Sequence, residues 1–226
     1  MVTMHCLYLI ALWSASHAAP QRATDTVPWP PPVGPVAFEA NVFMLTAPER
    51  AAMTGVTWHE DCPVELASLR RVQLMHWTHL GRAALGNLIV AEGAVEAVVA
   101  AMEAAYREGF PIEKMQPMVR YAGDDEASMN DNNTSAFNCR PTTGGGGWSA
   151  HALGLAIDIN PRENPYVKGE VVLPPTGAAF VDRTQMAPGM LHASSALVTV
   201  LASHGWGWGG RWRSLKDYQH VSATGR

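Results

Sequence analysis

Residues 149–158 read Ser149-Ala150-His151-Ala152-Leu153-Gly154-Leu155-Ala156-Ile157-Asp158, and they set an imidazole just ahead of a strand and a carboxylate inside it. From Gly154 to Ile159 the alternation puts Ala156 and Asp158 on one face and Leu155, Ile157 and Ile159 on the other. Asp158 therefore sits among apolar neighbours. Stripping an unpaired carboxylate of water costs on the order of several kcal/mol, so Asp158 needs a partner, and a metal ion suits. Gly154 lets the backbone turn so that His151 and Asp158 converge.

Working outward, the next chemistry-bearing stretch is Asp217-Tyr218-Gln219-His220. A flat strand would place residues 217 and 220 on opposite faces, so a bend or bulge is expected between them if both serve one site. Two His and one Asp leave a fourth zinc position open, as catalytic sites do and closed structural sites do not. Asp217 is then placed to take the proton from a water at that position.

The segments around these motifs alternate between strand and helix patterns. Leu69–His76 and Asn87–Ala91 read as a hairpin, with Gly81 and Gly86 between them. Val95, Val98, Val99, Met102 and Tyr106 recur at helical spacing up to Gly109 and Pro111. Pro117–Tyr121 is expected to be a short strand. Gly123–Gly147 reads as a long polar loop, and long loops in compact domains are usually functional. A second helix is expected over Ala193–His204, ended by Gly205, and a last strand near Tyr218–Ser222. With 20 Gly, 16 Pro and only 16% charged residues, the class expected is α+β: a small antiparallel sheet with flanking helices and long loops.

The chain has 226 residues, 47% of them hydrophobic, and a net charge of -4. That suffices for one domain with a real core. Charges of both signs are scattered and no basic stripe appears, which argues against nucleic acid as a partner. Residues 1–19 carry an apolar run, Cys6–Trp13, followed by Ser16-His17-Ala18, the pattern of a signal peptide, although no Lys or Arg precedes the run. The run is too short to span a bilayer, so no stable membrane insertion is expected once it is cleaved. Residues 20–56 are expected to form a Pro-rich linker (Pro28-Trp29-Pro30-Pro31-Pro32) and N-terminal extension, with folding to begin between Val36 and Thr57. The zinc-site domain then covers 57–226. Cys62 and Cys139 remain as an even pair in an exported chain, hence a disulfide candidate.

The pattern S-x-H-x-x-G-x-A-x-D followed by a late acid-x-x-H resembles the zinc D-Ala-D-Ala carboxypeptidase and L-alanyl-D-glutamate endopeptidase family, the M15-like metallopeptidases. The resemblance widens through Asn133-Thr-Ser-Ala-Phe-Asn-Cys139-Arg140, Asp158-Ile-Asn160-Pro161, Asn164-Pro-Tyr166 and Gly205-Trp-Gly-Trp-Gly-Gly-Arg211-Trp212. It implies a hedgehog/D-Ala-D-Ala-peptidase-like fold and a zinc ion on His151, Asp158 and His220. It also implies Asp217 as the base that activates the attacking water, and an arginine upstream that holds substrate or its developing oxyanion. Arg140, fixed beside Cys139, is preferred for that arginine; Arg120 is the competing position. Ser149 is expected to touch substrate or orient its loop. The implied substrates are peptidoglycan stem peptides or small D-amino-acid peptides, cut in the periplasm or cell wall.

Two other classes stay open on the residues alone. One is a non-catalytic zinc-bearing binding module on the same fold. The other is a non-haem iron oxygenase, which also uses two His and a carboxylate, although its first two ligands usually sit closer than residues 151 and 158. Trp206, Trp208 and Trp212 are expected to be packing residues before a sugar-stacking surface. The acidic residues Asp124, Asp125, Glu126 and Asp131 lack an EF-hand spacing and are expected in a solvated loop.

Overall fold

The computed structural model describes residues 37–142 and 145–225. The signal peptide and the Pro-rich run expected in residues 1–36 lie outside them. In chain order the strands and α-helices are β1 (Ala40–Met44), α1 (Ala47–Met53), β2 (Leu69–Trp77), β3 (Ala83–Ala91), α2 (Val95–Glu108), β4 (Lys114–Met115), α3 (Asp125–Asn130), β5 (Asn133–Thr134), β6 (Ala156–Asp158), β7 (Tyr166–Lys168), β8 (Val171–Leu173), α4 (Ala196–Ser203), β9 (Gly207–Trp208), β10 (Lys216–Asp217) and β11 (His220–Ser222). The class is α+β. Where one small sheet was expected, the described residues form four: β1-β2-β3, β6-β11-β9 and β10-β7-β8, all antiparallel, and a parallel pair β4-β5.

The expected hairpin is the longest ladder, running from Leu69↔Ala91 to Trp77↔Ala83. Its five-residue connection turns at Gly81, whose φ is +67°. β1 adds to the free side of β2, so the chain from residue 40 on, part of the stretch read as an extension, is built into the folded body. A capping box starts α1, with Thr46 accepting from the Glu49 amide and the Glu49 carboxylate accepting in return, which satisfies two otherwise orphaned donors.

Helix α2 lies with its buried residues Val98, Ala101, Met102 and Ala105 in one core with Val72, Leu74, Leu88 and Val90 of the hairpin and Leu197 and Leu201 of α4. Gly109 closes α2 in the left-handed conformation at φ +74°, where a side chain would be strained. The same core takes in Ile157 and Ile159, both fully buried. The apolar face of β6 is thereby anchored, and its other face is turned toward the site.

Two local expectations are corrected. Pro117–Tyr121 is not a strand: Met118–Tyr121 forms a 3-10 turn closed by Ala122 at φ +52°. The run 123–147 is not loop throughout, because Asp124 caps α3 by accepting from the Ala127 amide and β5 follows. Asp125 and Glu126 consequently stand in a helix's first turn. Asp131 is held by Lys114 and Tyr121.

Cys62 and Cys139 are joined in a disulfide across 77 positions. It ties the segment before β2 to the approach to the 149–158 motif. Closing so long a loop is worth up to roughly 4 kcal/mol in the chain-entropy account. The Cys62→Ser/Cys139→Ser double variant is expected to unfold at lower urea with a loss approaching that figure. Equal stability of the double variant, or two free thiols in a non-reducing peptide map of the exported protein, would contradict the bond.

Candidate metal centre

Ser149 opens the site. Its hydroxyl accepts the His151 amide at 3.2 Å and caps the 3-10 turn Ala150–Leu153. Gly154 ends that turn at φ +66°, and a Cβ there would lie 2.6 Å from the Ala91 amide nitrogen. Only glycine lets the turn press against the end of β3 while feeding directly into β6. Three positions decide the spacing: a cap at 149, an imidazole at the second residue of the turn, and a glycine that resets the chain for the strand carrying Asp158.

His151 is 3% exposed, and its Nδ1 lies 2.6 Å from the Ala136 carbonyl. A carbonyl only accepts, so Nδ1 donates, and Nε2 is the ring nitrogen left to meet the site. Nε2 faces Asp158 Oδ2 at 3.1 Å and His220 Nδ1 at 3.2 Å. His220 stands directly opposite Asp158 in the β6–β11 register, with its Nδ1 3.1 Å from Asp158 Oδ1. Burial works to raise the Asp158 carboxyl, but the charges and hydrogen bonds of His151 and His220 prevail and hold it well below the usual range.

These separations bear on whether a metal fits. Zinc with bonds of about 2.0 Å at the tetrahedral angle sets its ligands roughly 3.3 Å apart. The two ring nitrogens, 3.2 Å apart, match that spacing, and each lies 3.1 Å from Asp158, His151 Nε2 from Oδ2 and His220 Nδ1 from Oδ1, so one donor atom from each residue falls within 4.8 Å of the other two. The Ala136 carbonyl supplies the outer hydrogen bond that fixes a ligating imidazole in one tautomer. The other grouping of such donors among the described residues, His59, Cys62 and Cys139, has its two sulfurs bonded to each other.

Asp217 reaches the same place from a different sheet. It ends β10, opposite Tyr166 of β7, while His220 begins β11. The chain bends at Tyr218 and Gln219 between them, as the spacing required. Gly209 backs it closely: a Cβ there would meet the Asp217 carbonyl oxygen at 2.4 Å. Asp217 Oδ1 is buried with no hydrogen-bond partner. Burial raises its carboxyl to about 6, with the Asp158 charge adding and the nearby histidines opposing.

These residues line a cavity of about 420 Å³ that also takes in Ser149 and Arg140. Arg140 is gripped at Nε by Asp125 of α3, and Asp125 in turn accepts from the Asn138 amide at 2.9 Å. Arg120 is not among the cavity's residues. It is exposed and borders a second cavity with His76, Leu85 and Lys114. Further walls were not read as site residues from the sequence, among them Tyr166 and Leu173 from the β7–β8 hairpin, Leu215 and Gln219. Of the three tryptophans, Trp206 and Trp208 are core. Trp212 borders the cavity, its ring 5.5 Å from that of His220.

His151, Asp158, Asp217 and His220 all fall in the segment 142–223, which matches the family model described as D-alanyl-D-alanine carboxypeptidase. Arg140, Cys62 and Cys139 lie outside that segment. No curated protein and no solved structure gives a match to the chain.

Proposed function

We propose, from the M15-like peptidase family that the match over residues 142–223 supports, that this chain is an exported zinc metallopeptidase, carboxypeptidase or endopeptidase, which hydrolyses peptide bonds of bacterial cell-wall peptidoglycan. The observation that carries the reading is the grouping of His151, Asp158 and His220, its two ring nitrogens at zinc spacing and each 3.1 Å from Asp158, with an unpartnered buried carboxylate oxygen of Asp217 on the same cavity. The small sheets and flanking helices are read as the hedgehog/D-Ala-D-Ala-peptidase-like fold. The disulfide suits an oxidising compartment, and no helix among the described residues is long and apolar enough to cross a membrane.

His151 Nε2, one Asp158 carboxylate oxygen and His220 Nδ1 are the atoms that would hold zinc. When bound, zinc supplies Lewis acidity toward the scissile carbonyl and lowers the pKa of the attacking water. Asp217 accepts that water's proton and later delivers it to the leaving amine, the two halves of general base and acid work. Arg140 lends positive charge where the carbonyl oxygen becomes anionic, held in place by Asp125. Ser149 acts through its cap on the His151 amide. Leu173, Leu215 and Trp212 give the cavity an apolar side against which the short alanyl side chains of a stem peptide pack.

The test is incubation of the purified domain with defined muropeptides and a pentapeptide ending in D-Ala-D-Ala, with products identified by mass. Hydrolysis of one peptide bond, abolished by chelation and restored by zinc, is the expected result. A zinc-loaded protein that yields no product across the panel would be a binding module and not an enzyme.

A further inference from the structure

Residues 159–165 carry the chain from Asp158 in β6 to Tyr166 in β7, and two fully buried asparagines pin the run. The Asn160 side chain donates to the Pro111 carbonyl at 2.7 Å and accepts the Glu113 amide at 3.1 Å. The Asn164 side chain donates to the Gly189 carbonyl at 2.8 Å and accepts the Leu191 amide at 2.7 Å. Tyr166 is thereby delivered to one place, opposite both Asp217 of β10 and Leu173 of β8. Residues paired across antiparallel strands share a face. Tyr166, Asp217 and Leu173 all border the cavity, whereas their strand neighbours Val167, Lys216 and Val172 do not. The face that carries the phenol is therefore the one turned into the cavity. Tyr166 is half-buried. Its hydroxyl has no hydrogen-bond partner among the described residues, yet it is not one of the buried polar atoms left in that state, so solvent reaches it. Burial, and after it the Asp217 charge, raise the phenol above its ordinary value, and it stays a neutral donor.

An accessible hydroxyl on this wall, with the base on one side and apolar Leu173 on the other, is left to bond what enters the cavity. On the peptidase reading, on which this inference rests, Asp217 returns a proton to the amine of the departing residue. The next polar group along that residue is its acyl oxygen. The phenol is longer than the carboxylate beside it and projects further into the cavity. We propose that Tyr166 is a substrate-binding residue whose hydroxyl donates a hydrogen bond to an acyl oxygen of the departing residue. That oxygen belongs to a terminal carboxylate if the last bond is cut and to an amide carbonyl if an internal bond is cut. Either way the contact anchors the leaving side of the peptide on β7 and keeps the leaving nitrogen within reach of Asp217, where small displacements cost most.

The test is a cycle between one enzyme atom and one substrate atom. Tyr166→Phe removes the hydroxyl and keeps the ring. The substrate loses its acyl oxygen in a way set by the bond that wild type cuts. If the pentapeptide ending in D-Ala-D-Ala loses its last residue, that D-Ala is replaced by ethylamine. If an internal bond of a muropeptide is cut, the carbonyl of the departing residue is replaced by a thiocarbonyl, a weak acceptor. Tyr166→Phe is expected to raise KM for the natural substrate roughly five- to tenfold with an amide carbonyl, and about tenfold or more with a carboxylate. Zinc content should be unchanged and kcat should change by less than about threefold. On the altered substrate wild type and variant should have the same KM. Unchanged KM in Tyr166→Phe, or substrate and enzyme effects that simply add, would overturn the assignment, since a merely structural residue is not coupled to one substrate oxygen. A shifted acid limb of kcat/KM with unchanged KM would overturn it too, making Tyr166 a partner of Asp217 instead. Should Tyr166→Phe lose zinc or its native near-ultraviolet spectrum, the same cycle on Tyr166→Met decides in the same terms. A wild type that cuts neither the pentapeptide nor the muropeptides overturns the peptidase reading, and this assignment with it.

Discussion

His151→Ala, Asp158→Ala and His220→Ala are each expected to lose zinc through dialysis that leaves the wild type with one ion per chain, and to lose peptide cleavage with it. On the proposed ligand set each variant removes one of three protein ligands, and two ligands hold zinc poorly. The three are not equivalent in what else they disturb. Asp158 is the carboxylate that faces both imidazoles, so its removal leaves two ring nitrogens 3.2 Å apart with no carboxylate beside them. His151→Ala also vacates the Ala136 carbonyl, leaving a buried acceptor unpaired at a cost of about 1–3 kcal/mol. Because zinc binds the folded site and not the open chain, its loss should also lower thermal stability in every variant. Elemental analysis checks the set: full zinc retention in any two of the three would sink the ligand assignment. Iron in place of zinc would instead favour the oxygenase reading of the same three side chains.

Much of this centre was legible because its geometry is local. His151 and Asp158 are placed by a cap, one 3-10 turn, a left-handed glycine and a strand of three residues, and each leaves its mark in the sequence. Only the apposition of Asp158 and His220 is long-range. Strand register follows from both flanks being apolar, since Ile157 and Val221 must face the same core. The demand for a bend between Asp217 and His220 was likewise readable, but its origin was not. The two residues end and begin strands of different sheets, and nothing in four residues announces a change of sheet.

The failures have their own physics. Pro117 starts an extended-looking stretch, yet Ala122 and Gly123 accept left-handed turns that wind it into a 3-10 helix. The α3 helix was legible in Asp124, a good cap, but its six residues carry no apolar period to read. The β7–β8 hairpin turns on Gly169-Glu170, a two-residue signal hidden by strands too short to alternate visibly. β1 and α1 fall in the stretch read as linker and extension, yet inside the window from Val36 to Thr57 where folding is expected to begin, and Thr46-Ala-Pro-Glu49 spells a helix start. Separation along the chain favoured Arg120 as the substrate arginine, while the expected disulfide at Cys139 favoured Arg140. In the structure, Cys139 donates its amide to the Thr57 carbonyl at 3.0 Å and is bonded to Cys62, which fixes the backbone beside Arg140 at the rim.

Asp217→Asn is expected to keep zinc and to lower turnover by roughly 10²–10⁴-fold, the usual worth of a positioned general base. Asparagine preserves the shape that Gly209 backs and the strand pairing with Tyr166, so the backbone has no reason to move. What changes is Oδ1, now an amide oxygen or nitrogen that cannot take a proton from water at neutral pH. Burial lifts the Asp217 carboxyl to about 6, which makes its carboxylate a stronger base than a surface aspartate before any cation is counted. The rival role is to orient His220 from behind. Under that role the Asn variant would weaken zinc affinity by about 10–100-fold, with turnover falling only as zinc is lost and recovering in excess zinc. Zinc titration and turnover at saturating zinc, measured on one preparation of the variant, separate the two. Low turnover that added zinc does not restore identifies the base, while turnover that returns with zinc assigns Asp217 to the outer support of His220. Near-full activity with unaltered zinc affinity would remove Asp217 from the reaction.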